Sequence, residues 1–208
     1  MEHQIKTTIT TILFLIITAF NVHSQSNADI AKAYAESYTY ENKHEYIKAI
    51  ASLKKVYKED SYEINLRLGW LYYQAKSYKE SIGHYNKAIA IFPLSIEAKL
   101  GYAFPAYAMG NQEMVIKKYK EILAIDPYNY YGNYRLGLLY YERKEYLAAN
   151  KHFDKLINFY PFDYDVMIMS AWTYLRLNKL REAKVLFNKA LLNRPNDASA
   201  LEGLGLIK

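Results

Sequence analysis

Four of the five prolines in this chain stand at positions 93, 127, 161 and 195, an unbroken spacing of 34 residues. Each closes an apolar, helix-forming run: SIGHYNKAIAIFP, MVIKKYKEILAIDP, LAANKHFDKLINFYP and EAKVLFNKALLNRP. A proline just past a helix end cannot continue the helix and restricts the residue before it, so it fixes the turn into the next segment. The 208 residues are therefore expected to form an array of equal helical modules.

A second helical pattern lies upstream of each proline. RLGWLYYQ, residues 67–74, returns as RLGLLYYE, residues 135–142. Leu68, Gly69 and Tyr72 recur as Leu136, Gly137 and Tyr140, and correspond to Ser170, Ala171 and Tyr174 one period later. In the following helix small residues fall at Ser81, Ala149 and Ala183, each with an aromatic four positions on: Tyr85, Phe153 and Phe187. Small residues at 69, 103, 137 and 171 let one helix approach its partner closely, and the aromatic rings fill the space beside them.

Period, helix–turn–helix pattern and these columns together resemble the tetratricopeptide repeat. The resemblance implies an all-α fold, a right-handed superhelical solenoid of antiparallel helix pairs. It covers about five repeats within residues 25–208, at 29–61, 62–95, 96–129, 130–163 and 164–197, plus a C-terminal capping helix at 198–208. The first unit is degenerate, with Tyr46 and Ala49 still recognisable. The family's leading Trp is replaced by Asn65, Lys99, Asn133 and Met167, a change the fold tolerates. Pro105 is a second departure: inside a first helix it removes the bond to the Gly101 carbonyl, so a kink or wide turn is expected near 101–105.

Residues 1–24 are a different kind of sequence. One lysine, Lys6, precedes an apolar run from Ile9 to Phe20, and the segment closes on Val22-His23-Ser24. That order describes a secretory signal peptide cleaved after Ser24, and an exported protein, periplasmic or secreted. Membrane contact is then expected only through envelope partners or an uncleaved segment. The absence of cysteine excludes disulfides, thiolate metal sites and a thiol nucleophile in this chain.

Catalysis finds little support. No HExxH, GxSxG or phosphate-cradling glycine loop is present. His84 and His152 hold equivalent places in second helices and are read as outward-facing structural positions, so no metal and no cofactor is expected. The net charge of +6 rests partly on Lys54, Lys55, Lys58, Lys117, Lys118 and Lys120. These fall in second helices, away from the aromatic face that a nucleic-acid groove would require, so nucleic acid is not expected as a partner.

In the repeat family the first helix of each unit lines the concave side. The stripe that this implies runs through Arg67, Trp70 and Tyr73, then Phe104 and Tyr107, then Tyr134, Arg135, Leu138 and Tyr141, then Trp172 with Arg176 beside it, and begins at Tyr38. Family members that clamp a peptide carboxylate carry Asn and Lys along this stripe. Here the positions are large and apolar, which implies a groove for a protein or peptide ligand held by aromatic contact. The expected role is a non-enzymatic interaction scaffold of the cell envelope. Two rivals are self-association through the open face or the 198–208 end, and glycan handling in an export assembly.

Overall fold

The computed structural model describes residues 27–207, which form eleven α-helices and, within that range, no strand. The expected signal peptide lies outside the described residues. The chain divides into two compact units, one ending at Pro93 and one beginning at Leu94. The first holds α1 (27–41), α2 (Tyr46–Lys54), α3 (Tyr62–Gln74) and α4 (Tyr78–Ile91). The second holds α5 (Ile96–Ala108), α6 (Gln112–Ile125), α7 (Tyr130–Glu142), α8 (Tyr146–Phe159), α9 (Tyr164–Arg176), α10 (Leu180–Asn193) and α11 (Ala198–Gly205).

Helix starts follow one rule. Ser61, Ser95, Asn129, Asp163 and Asp197 precede α3, α5, α7, α9 and α11, and each side-chain oxygen accepts from the N–H three residues on. Such a cap satisfies one of the donors left over at a helix start. The capping residue comes two positions after the proline of the 34-residue ruler where that proline exists.

The turns within helix pairs follow another. His44, Lys76, Gly110, Lys144 and Asn178 all have positive φ, between 58° and 72°. The next residue's N–H then bonds back to the carbonyl of Tyr40, Tyr72, Ala106, Tyr140 or Tyr174 at 2.9–3.0 Å, closing the helix end in a Schellman-type turn. The chain reverses, and the helices run antiparallel: Asn65 meets His84 while Gly69 meets Ser81.

In the first unit Ala33, Ala49, Ile50, Leu53, Ile64, Leu68 and Leu71 form one buried cluster. In the second, Tyr102, Phe153, Val115, Ile122, Leu136, Leu156 and Met167 are fully buried, and Phe187 clusters with Ile168, Ala171, Ala183, Leu186, Ala190 and Ala200. The small-residue columns act as expected. The Tyr85 ring lies where a Cβ on Gly69 would come to 3.0 Å of it, and the Phe153 ring is closer still to Gly137, at 2.6 Å.

The wide turn expected near 101–105 does not form at Pro105. Helix α5 runs unbroken from Ile96 to Ala108, without a wide turn. Pro105 sits in its last turn, so few bonds are lost, and Tyr102, Ala103, Pro105 and Ala106 are all buried in a helix packed on α6. Burial on both sides of the proline holds the helix together.

Candidate functional site

The stripe divides between the two units. In the first, Arg67 from α3 turns back on α1. Its guanidinium lies over the Tyr38 ring at 3.8 Å, its Nε and Nη2 donate to Ser37 Oγ at 3.2 and 3.1 Å, and it pairs with Glu41. The Arg67 side chain is only 10% exposed. Trp70 donates its indole N–H to the same Glu41 carboxylate and lies tilted against Tyr73, 5.9 Å between ring centroids. Arg67 and Trp70 thus tie α3 to α1 through Glu41, while the Tyr38 ring stays open on its outer side.

In the second unit the stripe is more open. Phe104 and Tyr107 on α5 are 42% and 55% exposed. On α7, Arg135 is exposed, while Tyr134, Leu138 and Tyr141 are half-buried. Tyr134 stacks on Tyr130 at 5.9 Å and Tyr141 meets Tyr146 edge-on at 5.3 Å. On α9, Trp172 stands edge-on to Phe187 at 5.3 Å and donates its indole N–H to Ser199 Oγ at 2.8 Å. Arg176 reaches over the Trp172 ring at 5.9 Å. A hydrogen bond with Tyr141 holds its guanidinium more firmly protonated than usual and links α9 to α7. These residues are half-buried to exposed, with exposed Arg135 and Arg176 among them and exposed Glu97 and Asp165 in the first turns of α5 and α9. Two shallow clefts lie elsewhere, one along His44–Lys48 and Gln74–Lys76, the other beside Tyr174, Arg181 and Val185.

The histidines are not outward-facing. His84 and His152 are half-buried, each with Nδ1 against the Oδ1 of the buried Asn65 or Asn133, at 2.9 and 3.1 Å. Each imidazole also stacks on a first-helix tyrosine, Tyr72 or Tyr140, at 5.3 and 5.6 Å. The asparagines in turn donate their amides to backbone carbonyls: Asn65 to Glu59 and Ser61, Asn133 to Pro127 and Asn129. Asn65 and Asn133, two of the residues replacing the family's Trp, therefore tie the second helix and the preceding turn to the first helix. Burial lowers both imidazoles to about 4. Lys87 and Lys54 add to the effect at His84, and Lys155, Lys120 and Lys151 at His152. Among the described residues no group of three or more His, Asp or Glu is placed to hold a metal ion. No helix within that range is long and apolar enough to cross a membrane.

Comparison with known proteins matches what the helix pairs show. Two tetratricopeptide repeat models match this chain, one at residues 34–96 and 168–207 and the other at 131–162. The chain belongs to the tetratricopeptide repeat family. It is 23% identical over 172 residues to superkiller protein 3 of Schizosaccharomyces pombe, covering 79% of this chain. It is 30% identical over 86 residues, 41% of this chain, to TPR repeat-containing protein MJ1428 of Methanocaldococcus jannaschii. The chain spans only 12% and 15% of the lengths of these two relatives. Among solved structures, a tetratricopeptide repeat protein from Parabacteroides merdae superposes with a TM-score of 0.74 at 21% identity, covering 85% of this chain and 71% of that one. YrrB, a repeat protein whose structure has an unusual peptide-binding site, gives 0.69 at 15% identity over 90% and 98% of the two chains.

Proposed function

We propose that this protein is a non-catalytic scaffold of the cell envelope that binds a peptide or helical segment of another protein against the aromatic stripe of its first helices. The observation that carries this reading is the stripe of the second unit. There Phe104 and Tyr107 are open, Leu138, Tyr141 and Trp172 are half-open, and the exposed Arg135 and Arg176 stand beside them. A surface of this make-up favours extended apolar contact with a few orienting polar bonds. Each open ring that buries roughly 100 Å² on binding contributes about 2–3 kcal/mol, the scale of an interface hot spot. The peptide site of YrrB, on the same fold, supports the choice of a peptide ligand. The apolar, signal-like segment at the start of the chain supports an exported location.

The test is pulldown from envelope extract with the wild-type chain beside a Phe104→Ala/Tyr107→Ala variant. Both side chains are exposed, so the variant is expected to keep its helical circular dichroism. Specific partners should be retained by the wild type and lost by the variant. Identical partner sets would remove the stripe from the function.

A further inference from the structure

Within the second unit the second helices α6, α8 and α10 turn the same columns outward, one period apart. On α6 these columns hold Lys117 and Lys120, and on α8 Lys151 and Lys155, all exposed. On α10 they hold Arg181 and Lys189, exposed as well. Large aliphatic side chains stand among the cations: Leu147 is 70% exposed, Val185 50% and Leu192 74%. The columns stay open on α6 and α8, which further helix pairs follow, so their exposure on α10 does not arise from its place late in the chain.

Neighbouring helices bring the charges together. Lys120 of α6 acts on the His152 imidazole of α8 together with Lys151 and Lys155, so three cations surround one point. Ile157 of α8 and Val185 of α10 line one shallow cleft, which sets α10 beside α8. The acids on α6 and α8 are engaged. Glu113 pairs with Arg143, Glu121 pairs with Lys118, and Asp154 accepts from Asn150 and Tyr174. Among the described residues Lys117, Lys120, Lys151 and Lys155 form no ion pair. Exposed Glu182 on α10 is a counter-charge that remains. The first helices of the same unit are balanced instead, with exposed Glu97, Glu142 and Asp165 against exposed Arg135 and Arg176.

We propose that this face of the second unit lies against a membrane surface of anionic lipid headgroups, the lysines on the phosphates and the aliphatic side chains dipping between them. The make-up of the face selects the occupant. Lysine binds phosphate as a point charge, and it is depleted from protein interfaces, where Arg and aromatic residues are enriched. The outward columns hold no aromatic ring on which a nucleic-acid base could stack. Exposed Leu147, Val185 and Leu192 add the apolar insertion by which surface-bound helices hold a bilayer. The contact is direct, unlike the contact through envelope partners that the sequence implied. It does not rest on the aromatic stripe, which belongs to the first helices.

The test is flotation of the full chain with vesicles of phosphatidylcholine alone, or with about a third phosphatidylglycerol. The neutral vesicles report any contribution from the apolar residues 9–20. Binding to the anionic vesicles should be about tenfold tighter or more, and should fall to the neutral level in about 0.5 M salt. Lys151→Gln/Lys155→Gln should weaken anionic binding about fivefold per lysine. Leu147→Ser should weaken it severalfold. Lys32→Gln/Lys43→Gln removes the same charge from exposed positions of the first unit and should change binding by less than about twofold. All five side chains are exposed, so each variant is expected to keep its helical circular dichroism. Equal binding to the two kinds of vesicle overturns the proposal, as does wild-type binding by either the Lys151→Gln/Lys155→Gln or the Leu147→Ser chain. Equal loss from both lysine pairs overturns it too, since net charge and not this face would then decide. Displacement from the vesicles by inorganic phosphate overturns it in favour of a small-anion site. Tighter binding to an oligonucleotide or to polyglutamate than to anionic vesicles overturns it in favour of that class of partner.

Discussion

A methyl group added at Gly137 would sit 2.6 Å from the Phe153 ring, in a core that cannot shift without loss. Gly137→Ala is expected to destabilise by about 1–2 kcal/mol, the overpacking cost exceeding the gain in helix propensity. Gly83, exposed on α4 with nothing within 4 Å of an added Cβ, should behave oppositely. Gly83→Ala is expected to stabilise by about 0.5–1 kcal/mol, and denaturant midpoints separate the two outcomes. The histidines make a second residue-scale prediction. Their folded value of about 4 lies below the unfolded value of 6.5, so between these limits the unfolded chain binds more protons. Stability is full above about pH 6.5 and falls as pH drops through that window to about 4. After allowance for partial solvent exposure the loss is about 1–2 kcal/mol for each imidazole. Urea midpoints at pH 7 and pH 4.5 measure it, and a His84→Gln/His152→Gln variant should lose most of the difference. Gly137 could be read from the sequence because its column keeps small residues in every repeat. The His–Asn pairs could not. Their two columns read Asn, Lys, Asn, Met and His, Lys, His, Leu, and only the packing of one helix on the other joins them.

At the scale of elements, helices and turns are set by chemistry that repeats while the residue names change. The left-handed turn position is filled by His44, Lys76, Gly110, Lys144 and Asn178, of which only the glycine adopts that conformation without steric cost. Lys144→Gly is expected to stabilise by about 0.5–1 kcal/mol, raising the melting temperature by a few degrees, which calorimetry checks. The same change at Gly110 is already present, which makes the third hairpin the internal control. The prolines announced the period because proline has one meaning at a helix end. The caps at 61, 95, 129, 163 and 197 keep the same period but use Ser, Asn and Asp interchangeably, so their column does not stand out in the letters. Pro105 shows the opposite limit. Its local effect was legible, and the burial around α5 that overrides it was not.

Across the whole molecule, repetition in the sequence accounts for the helical architecture of the described residues, since within each of the two compact units one helix pair buries the faces the next requires. Which stripe residues remain available was less legible. Arg67 and Trp70 read as members of an open face, yet both bind Glu41 of α1, a partner outside their own repeat that periodicity does not single out. Phe104, Tyr107 and Arg135 stay open in the second unit, and the proposed binding function rests there. Site-specific photocrosslinking in the living cell tests that assignment most directly. A benzoylphenylalanine is placed at Tyr107 on the stripe and, as comparison, at exposed Lys117 on α6. A discrete crosslinked protein partner is expected from position 107 and none of that mass from position 117. Capture of the same partner only from position 117, or no product from position 107 while the chain is folded and abundant, would contradict it.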